Sequence, residues 1–223
     1  MSYLPICLLC LVLVAAFLYV EVRKQYVFAA ALKGAASACF VVLGFLSAGL
    51  ASEPMPARFI VIGLVLGAVA DVLLALRYVF PKQKQPVFLA GILVFLLGHI
   101  MYLAPIVPRC PVLLASVLVG IGATALLMYW IFGRITAEQI FKLFGIVYMG
   151  IVTILSTVAI GTMLAQPTTF SAMFVLGALL FLVSDVVLVL NTFGPRERLE
   201  MRIANISLYY LAQLLIALTL QVL

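Results

Sequence analysis

Apolar runs of about twenty residues recur along the whole chain, and this constrains the fold more than any other feature. At 1.5 Å rise per residue, such a run spans the hydrocarbon core of a bilayer. The runs predict eight spans, at about 3–20, 27–50, 59–76, 87–104, 111–132, 141–164, 170–190 and 203–223. The connecting loops are short, so residues 1–223 read as one integral membrane domain with no room for a soluble one. Composition agrees: 67% of residues are hydrophobic and 9% charged, against roughly 25% charged in soluble domains. The expected fold class is an all-α polytopic membrane bundle of about eight transmembrane helices. The first run has no basic residue ahead of it and no small-residue cleavage site, so it reads as a membrane helix rather than a signal peptide.

The formal net charge of +6 does not point to nucleic acid, because its distribution follows the loops. Arg23, Lys24, Arg77, Lys82, Lys84, Arg134, Lys142, Arg196, Arg198 and Arg202 fall to the odd-numbered loops, whereas Arg58 and Arg109 fall to the even ones. That asymmetry predicts cytoplasmic odd loops and non-cytoplasmic termini. The membrane would be the inner membrane in a bacterium or the endoplasmic reticulum in a eukaryote. Cys7, Cys10 and Cys39 lie in apolar spans and Cys110 in a loop, a pattern of packing rather than of redox or zinc chemistry.

An internal similarity runs through the chain. "GLVLGAVADVLLAL" (63–76) aligns with "GALLFLVSDVVLVL" (177–190), setting Gly63 on Gly177 and Asp71 on Asp185 at an offset of 114 residues. The same offset sets Phe95 on Tyr209 and His99 on Gln213. Two parallel four-helix repeats, related by an axis along the membrane normal, would produce this pattern.

Three charged residues lie well inside spans: Lys33, Asp71 and Asp185. A charge at the bilayer centre costs about 2.5–3.5 kcal/mol on insertion scales, so such residues face the bundle interior and mark function. One lysine cannot neutralise two carboxylates, and a protonated acid beside an ionised one is a catalytic arrangement. From the span ends, Asp71 and Asp185 lie roughly 7–8 Å deep, Lys33 roughly 9 Å, and Tyr148, Tyr209 and Tyr210 roughly 9–11 Å. Gln213 and His99 lie deeper, at roughly 15 and 18 Å. A polar funnel opening toward the odd loops follows, with the two aspartates as catalytic candidates and Ser184 beside the second. A single histidine cannot build a three-histidine zinc site, and neither HExxH, GxSxG, a P-loop nor GxGxxG is present. Two-carboxylate chemistry needing no metal or organic cofactor fits what remains.

The blocks "VLGAVADVLLAL", "FLAGILVFLLGHIMYLAPI", "GALLFLVSDVVLVLNTF" and "LYYLAQLLIAL" resemble, in order and spacing, the motifs of the YhhN family, whose characterised members are lysoplasmalogenases. The resemblance covers spans two to eight. It implies an eight-helix hydrolase that cleaves the vinyl ether of a lysophospholipid substrate to a fatty aldehyde and glycerophosphocholine or glycerophosphoethanolamine. The family's two acids fall on Asp71 and Asp185, its histidine block on His99 with Tyr102, and its membrane lysine on Lys33. Tyr148, Ser184, Tyr209, Tyr210 and Gln213 complete the expected substrate-binding set. Three departures stand out: Ala70 replaces a glycine before Asp71, no proline follows Lys33, and Asn191 stands where some members have an aspartate. The same residues also fit a proton-coupled secondary transporter of a lipid-like or small amphipathic substrate, or a lipid-binding scaffold.

Overall fold

A computed structural model describes residues 3–223. Eight helices follow one another: α1 (Leu4–Val22), α2 (Tyr26–Ala48), α3 (Pro54–Val79), α4 (Lys84–Ile106), α5 (Leu113–Phe132), α6 (Gln139–Ala165), α7 (Thr169–Phe193) and α8 (Leu199–Thr219). Each is long and apolar enough to cross a membrane, and the protein is an integral, multi-pass membrane protein. Large apolar side chains such as Leu114, Leu126 and Leu164 stand three-quarters exposed. Water would not tolerate such a surface, whereas lipid tails do.

Local chemistry sets the ends. Pro5 and Pro54 open α1 and α3 at positions where no backbone donor is lost. Thr168 and Ser171 cap α7 reciprocally, each side chain accepting from the other's backbone N–H at 3.1 and 2.9 Å. The helices overrun the expected spans where a charge ends the apolar run without ending the hydrogen-bond ladder. Arg77 therefore belongs to the last turn of α3 and Arg202 to the first turn of α8, instead of to loops. Both correct the reading of these residues as loop charges, and Arg77 is only 5% exposed.

Part of the helix packing follows the 114-residue offset, although α1 packs on α8 without a counterpart between α5 and α4. α3 packs on α4 as α7 packs on α8, and the cross-pair α2 with α8 has its counterpart in α6 with α4. Two contacts share the same register. A Cβ added at Gly63 would meet Tyr102, and one at Gly177 would meet Ile216, each pair displaced by the same 114 residues. On the first pair Gly91 lies against the Ala70 carbonyl; at the equivalent place on the second, Asn205 donates to the Ser184 carbonyl at 3.0 Å.

Gly63 of α3 lies against the Tyr102 ring of α4. A Cβ there would come within 2.3 Å of Tyr102 Cε1, on a ring that is 1% exposed and has no room to yield. Gly63→Ala should therefore destabilise the protein in detergent by about 1–3 kcal/mol. Gly122→Ala, which meets nothing within 4 Å, should leave the thermal midpoint in place. Equal midpoints for the two variants would refute the close approach.

Candidate functional site

Lys33 and Ser37 stand four residues apart on α2 and so share one helix face. Both reach Asp71 of α3, which is 1% exposed. The Lys33 ammonium lies 2.9 Å from Oδ1, and the Ser37 hydroxyl donates to Oδ2 at 2.6 Å. Tyr209 of α8 donates to the same oxygen at 2.7 Å. One cation and two hydroxyls thus surround this carboxylate.

Behind Tyr209 the polar contacts continue away from the odd-loop end. Gln213, one turn along α8, donates from Nε2 to the Tyr209 hydroxyl at 3.0 Å and accepts from the Tyr102 hydroxyl at 2.8 Å. Gly67 makes room for this amide, since a Cβ there would approach Gln213 Nε2 to 2.5 Å. Tyr210, turned about 100° from Tyr209, donates to the Lys33 carbonyl at 3.2 Å and lies 3.0 Å from Ser37 Oγ. It fixes α8 on α2 rather than facing the same space as Tyr209.

Asp185 of α7 has different company. Its Oδ2 accepts from Tyr148 of α6 at 2.8 Å, and no lysine or arginine lies within 4 Å among the described residues. The two carboxylates nevertheless meet at one cavity, lined also by Lys33, Tyr148 and Tyr209. Its free volume is about 80 Å³, well below the roughly 300–1,000 Å³ usual for small-molecule sites. Its walls are mostly apolar, with Phe95 from α4, Met128 and Phe132 from α5, and Met149 from α6. α4 and α5 do not form a packed pair although they are consecutive, so this wall is made of side chains from helices that stand apart.

Five expected site residues lie outside this lining, Tyr210 among them. His99 is 2% exposed, its Nδ1–H directed to the Phe95 carbonyl at 2.9 Å, with its ring edge-on to Tyr148 (5.5 Å) and Phe181 (5.1 Å). It packs behind Tyr148. Tyr102 and Gln213 extend the hydrogen-bond chain, and Ser184 faces α8, where its hydroxyl donates to the Asn205 carbonyl at 3.0 Å. Four residues that the sequence reading passed over also belong here: Ser37 on Asp71, and Asn205, Arg77 and Arg202 along the cavity. The one available signal for Ser37 was its i+4 spacing from Lys33.

The exchange of Gly for Ala at position 70 has a visible counterpart. Ala70 is fully buried, and Gly91 of α4 lies opposite its carbonyl, so the close approach of the two helices is kept by a glycine on the other side.

The family model described as the YhhN family matches residues 28–220, from the first turn of α2 to the end of α8. No curated protein and no solved structure matches the chain.

Proposed function

The chain belongs to the YhhN family, and from that premise we propose that it is a lysoplasmalogenase, a membrane hydrolase cleaving the vinyl ether of 1-alkenyl lysophospholipids. The observation that carries this reading is the pair of buried carboxylates at one cavity, with a cation on only one of them.

Vinyl ethers hydrolyse by proton transfer to the β carbon, which creates an oxocarbenium ion that water then captures. The reaction calls for one acid and one anion. Asp71, held by Lys33, Ser37 and Tyr209, supplies the anion. Asp185, without a salt bridge among the described residues and touched by a neutral phenol, carries the proton. The proton passes from Asp185 to the β carbon, and the Asp71 carboxylate stabilises the positive charge that develops on the α carbon and ether oxygen. Water adds to the α carbon and its surplus proton returns to the pair. Collapse of the hemiacetal breaks the C–O bond, moves its hydroxyl proton to the glycerol oxygen and releases a fatty aldehyde. The logic parallels glycosidases, which pass through a similar cation between two carboxylates. The aromatic faces of Tyr148 and Tyr209 add cation–π stabilisation of about 0.5–2 kcal/mol each where a positive charge comes over them. The hydrocarbon chain lies along the apolar wall of α4 and α5.

Purified protein in detergent, incubated with 1-alkenyl-glycerophosphocholine or -ethanolamine, should release aldehyde. The saturated 1-alkyl ether, which has no double bond to protonate, should not turn over, and EDTA should leave the rate unchanged. Folded protein that releases no aldehyde from either headgroup would overturn the reading, and flux in proteoliposomes without product would favour a transporter.

A further inference from the structure

A membrane-buried cation needs an anion, and Arg77 has none. It is 5% exposed, and no carboxylate lies within 4 Å of it among the described residues. Its Nη2 donates to the Tyr78 hydroxyl at 2.7 Å, while its Nε has no partner. The guanidinium sits 4.7 Å from the Tyr78 ring centroid and 4.6 Å from that of Phe88, a seat that orients the plane without neutralising the charge. Of the other buried or half-buried cations along this cavity, Lys142 lies over the Phe132 ring with no carboxylate within 4 Å among the described residues, and two are matched. Lys33 lies on Asp71, and Arg202 grips Glu21 through two contacts of 2.7 and 2.9 Å.

Arg77 is also in the right place. It lines the cavity that holds Asp71 and Asp185, and equally a crevice at the odd-loop surface bounded by Glu21, Lys24 and Arg198. It therefore stands between the reacting groups and the polar exterior. Six residues separate it from Asp71 on α3, a rise of about 9 Å, comparable with the length of one glycerol phosphate unit.

We propose that Arg77 binds the phosphodiester of the lysophospholipid headgroup, anchoring the glycerol so that the ether bond lies between the aspartates. Resting on the lysoplasmalogenase reading, this makes Arg77 a substrate-binding residue that selects phosphorylated over neutral ether lipids. A planar guanidinium with free N–H donors matches a phosphodiester by paired hydrogen bonds, which an ammonium cannot reproduce. Lys33, buried beside the reacting groups, is committed to Asp71, and Arg202 to Glu21.

The test is binding, which does not depend on turnover. 1-O-alkyl-glycerophosphocholine, a saturated ether that carries the phosphate, and 1-O-alkylglycerol, which lacks it, are titrated calorimetrically into the full chain in detergent. Arg77→Gln should weaken the phosphorylated ligand roughly 10- to 100-fold and leave the neutral one unchanged, with Arg77→Lys in between. Inorganic phosphate at the same concentrations should not displace the lipid. Unchanged affinity in folded Arg77→Gln, or equal loss for both ligands, overturns the proposal, as does Arg77-dependent binding of inorganic phosphate without the lipid. If Arg77→Gln does not fold, Arg77→Lys decides by the same contrast. Arg77-dependent binding by a protein that releases no aldehyde would refute the hydrolase reading and leave the phosphate site standing. Aldehyde release with no effect of Arg77 on binding would do the reverse.

Discussion

Asparagine at position 185 should lower aldehyde release by about 10²–10⁴-fold, the usual contribution of a positioned general acid, while leaving substrate affinity and thermal stability nearly intact. The asymmetry of the two carboxylates leads to this expectation. Asp185 carries no salt bridge, and its partner is the Tyr148 hydroxyl, which an asparagine oxygen can accept equally well at 2.8 Å. The substitution thus removes a proton donor and little else. Asp185→Glu keeps the acid but moves it by one methylene, so partial activity is expected. Asp71→Asn should also abolish turnover, with a difference that separates the roles: it strands the Lys33 ammonium, 4% exposed, without its counter-charge, and so lowers the unfolding temperature as well. Rates and melting curves for both variants decide the matter. A folded Asp185→Asn enzyme with wild-type rate would eliminate Asp185 as the acid. Retention of activity by both variants would eliminate two-carboxylate chemistry altogether.

What the sequence made legible follows from what a bilayer forbids. Twenty-residue apolar runs admit almost nothing but helices, so all eight were identifiable with only their ends misplaced. Lys33, Asp71 and Asp185 could be assigned to one layer because charges at depth are too costly to be incidental and helical rise converts residue number to depth. Rotation was harder to read. Ser184 lies one residue from Asp185 and His99 one turn from Phe95, yet Ser184 turns to α8 and His99 packs behind Tyr148. Depth comes from counting, whereas facing depends on which helix stands opposite. Arg77 was hidden for another reason. An arginine at the odd-loop end satisfies the positive-inside pattern whether it snorkels to water or is buried, so its charge carried no separate signal. Ser37 offered only its i+4 spacing from Lys33, because serine is otherwise an ordinary small residue at helix contacts in membranes.

Lys33→Met should be the most destabilising single change among the polar groups, costing about 3–5 kcal/mol by leaving the Asp71 carboxylate buried and unpaired. Methionine fills much of the lysine stem, which keeps the cavity term small and makes the charge the main variable. The hydroxyls of Ser37 and Tyr209 remain on Oδ2 but contribute no net positive charge, and Oδ1 loses its only partner. Adding Asp71→Asn to Lys33→Met removes the stranded charge, so the double variant should recover most of the lost stability. The coupling energy from the four proteins then measures the ion pair directly. This cycle bears on mechanism as well as on folding. If Lys33→Met alone proves as stable as wild type, Asp71 takes up a proton readily and is not the fixed anion, and the division of labour between the two aspartates falls. If stability is lost and then regained in the double variant, Asp71 is the ionised member of the pair, and the proton that begins vinyl ether cleavage belongs to Asp185.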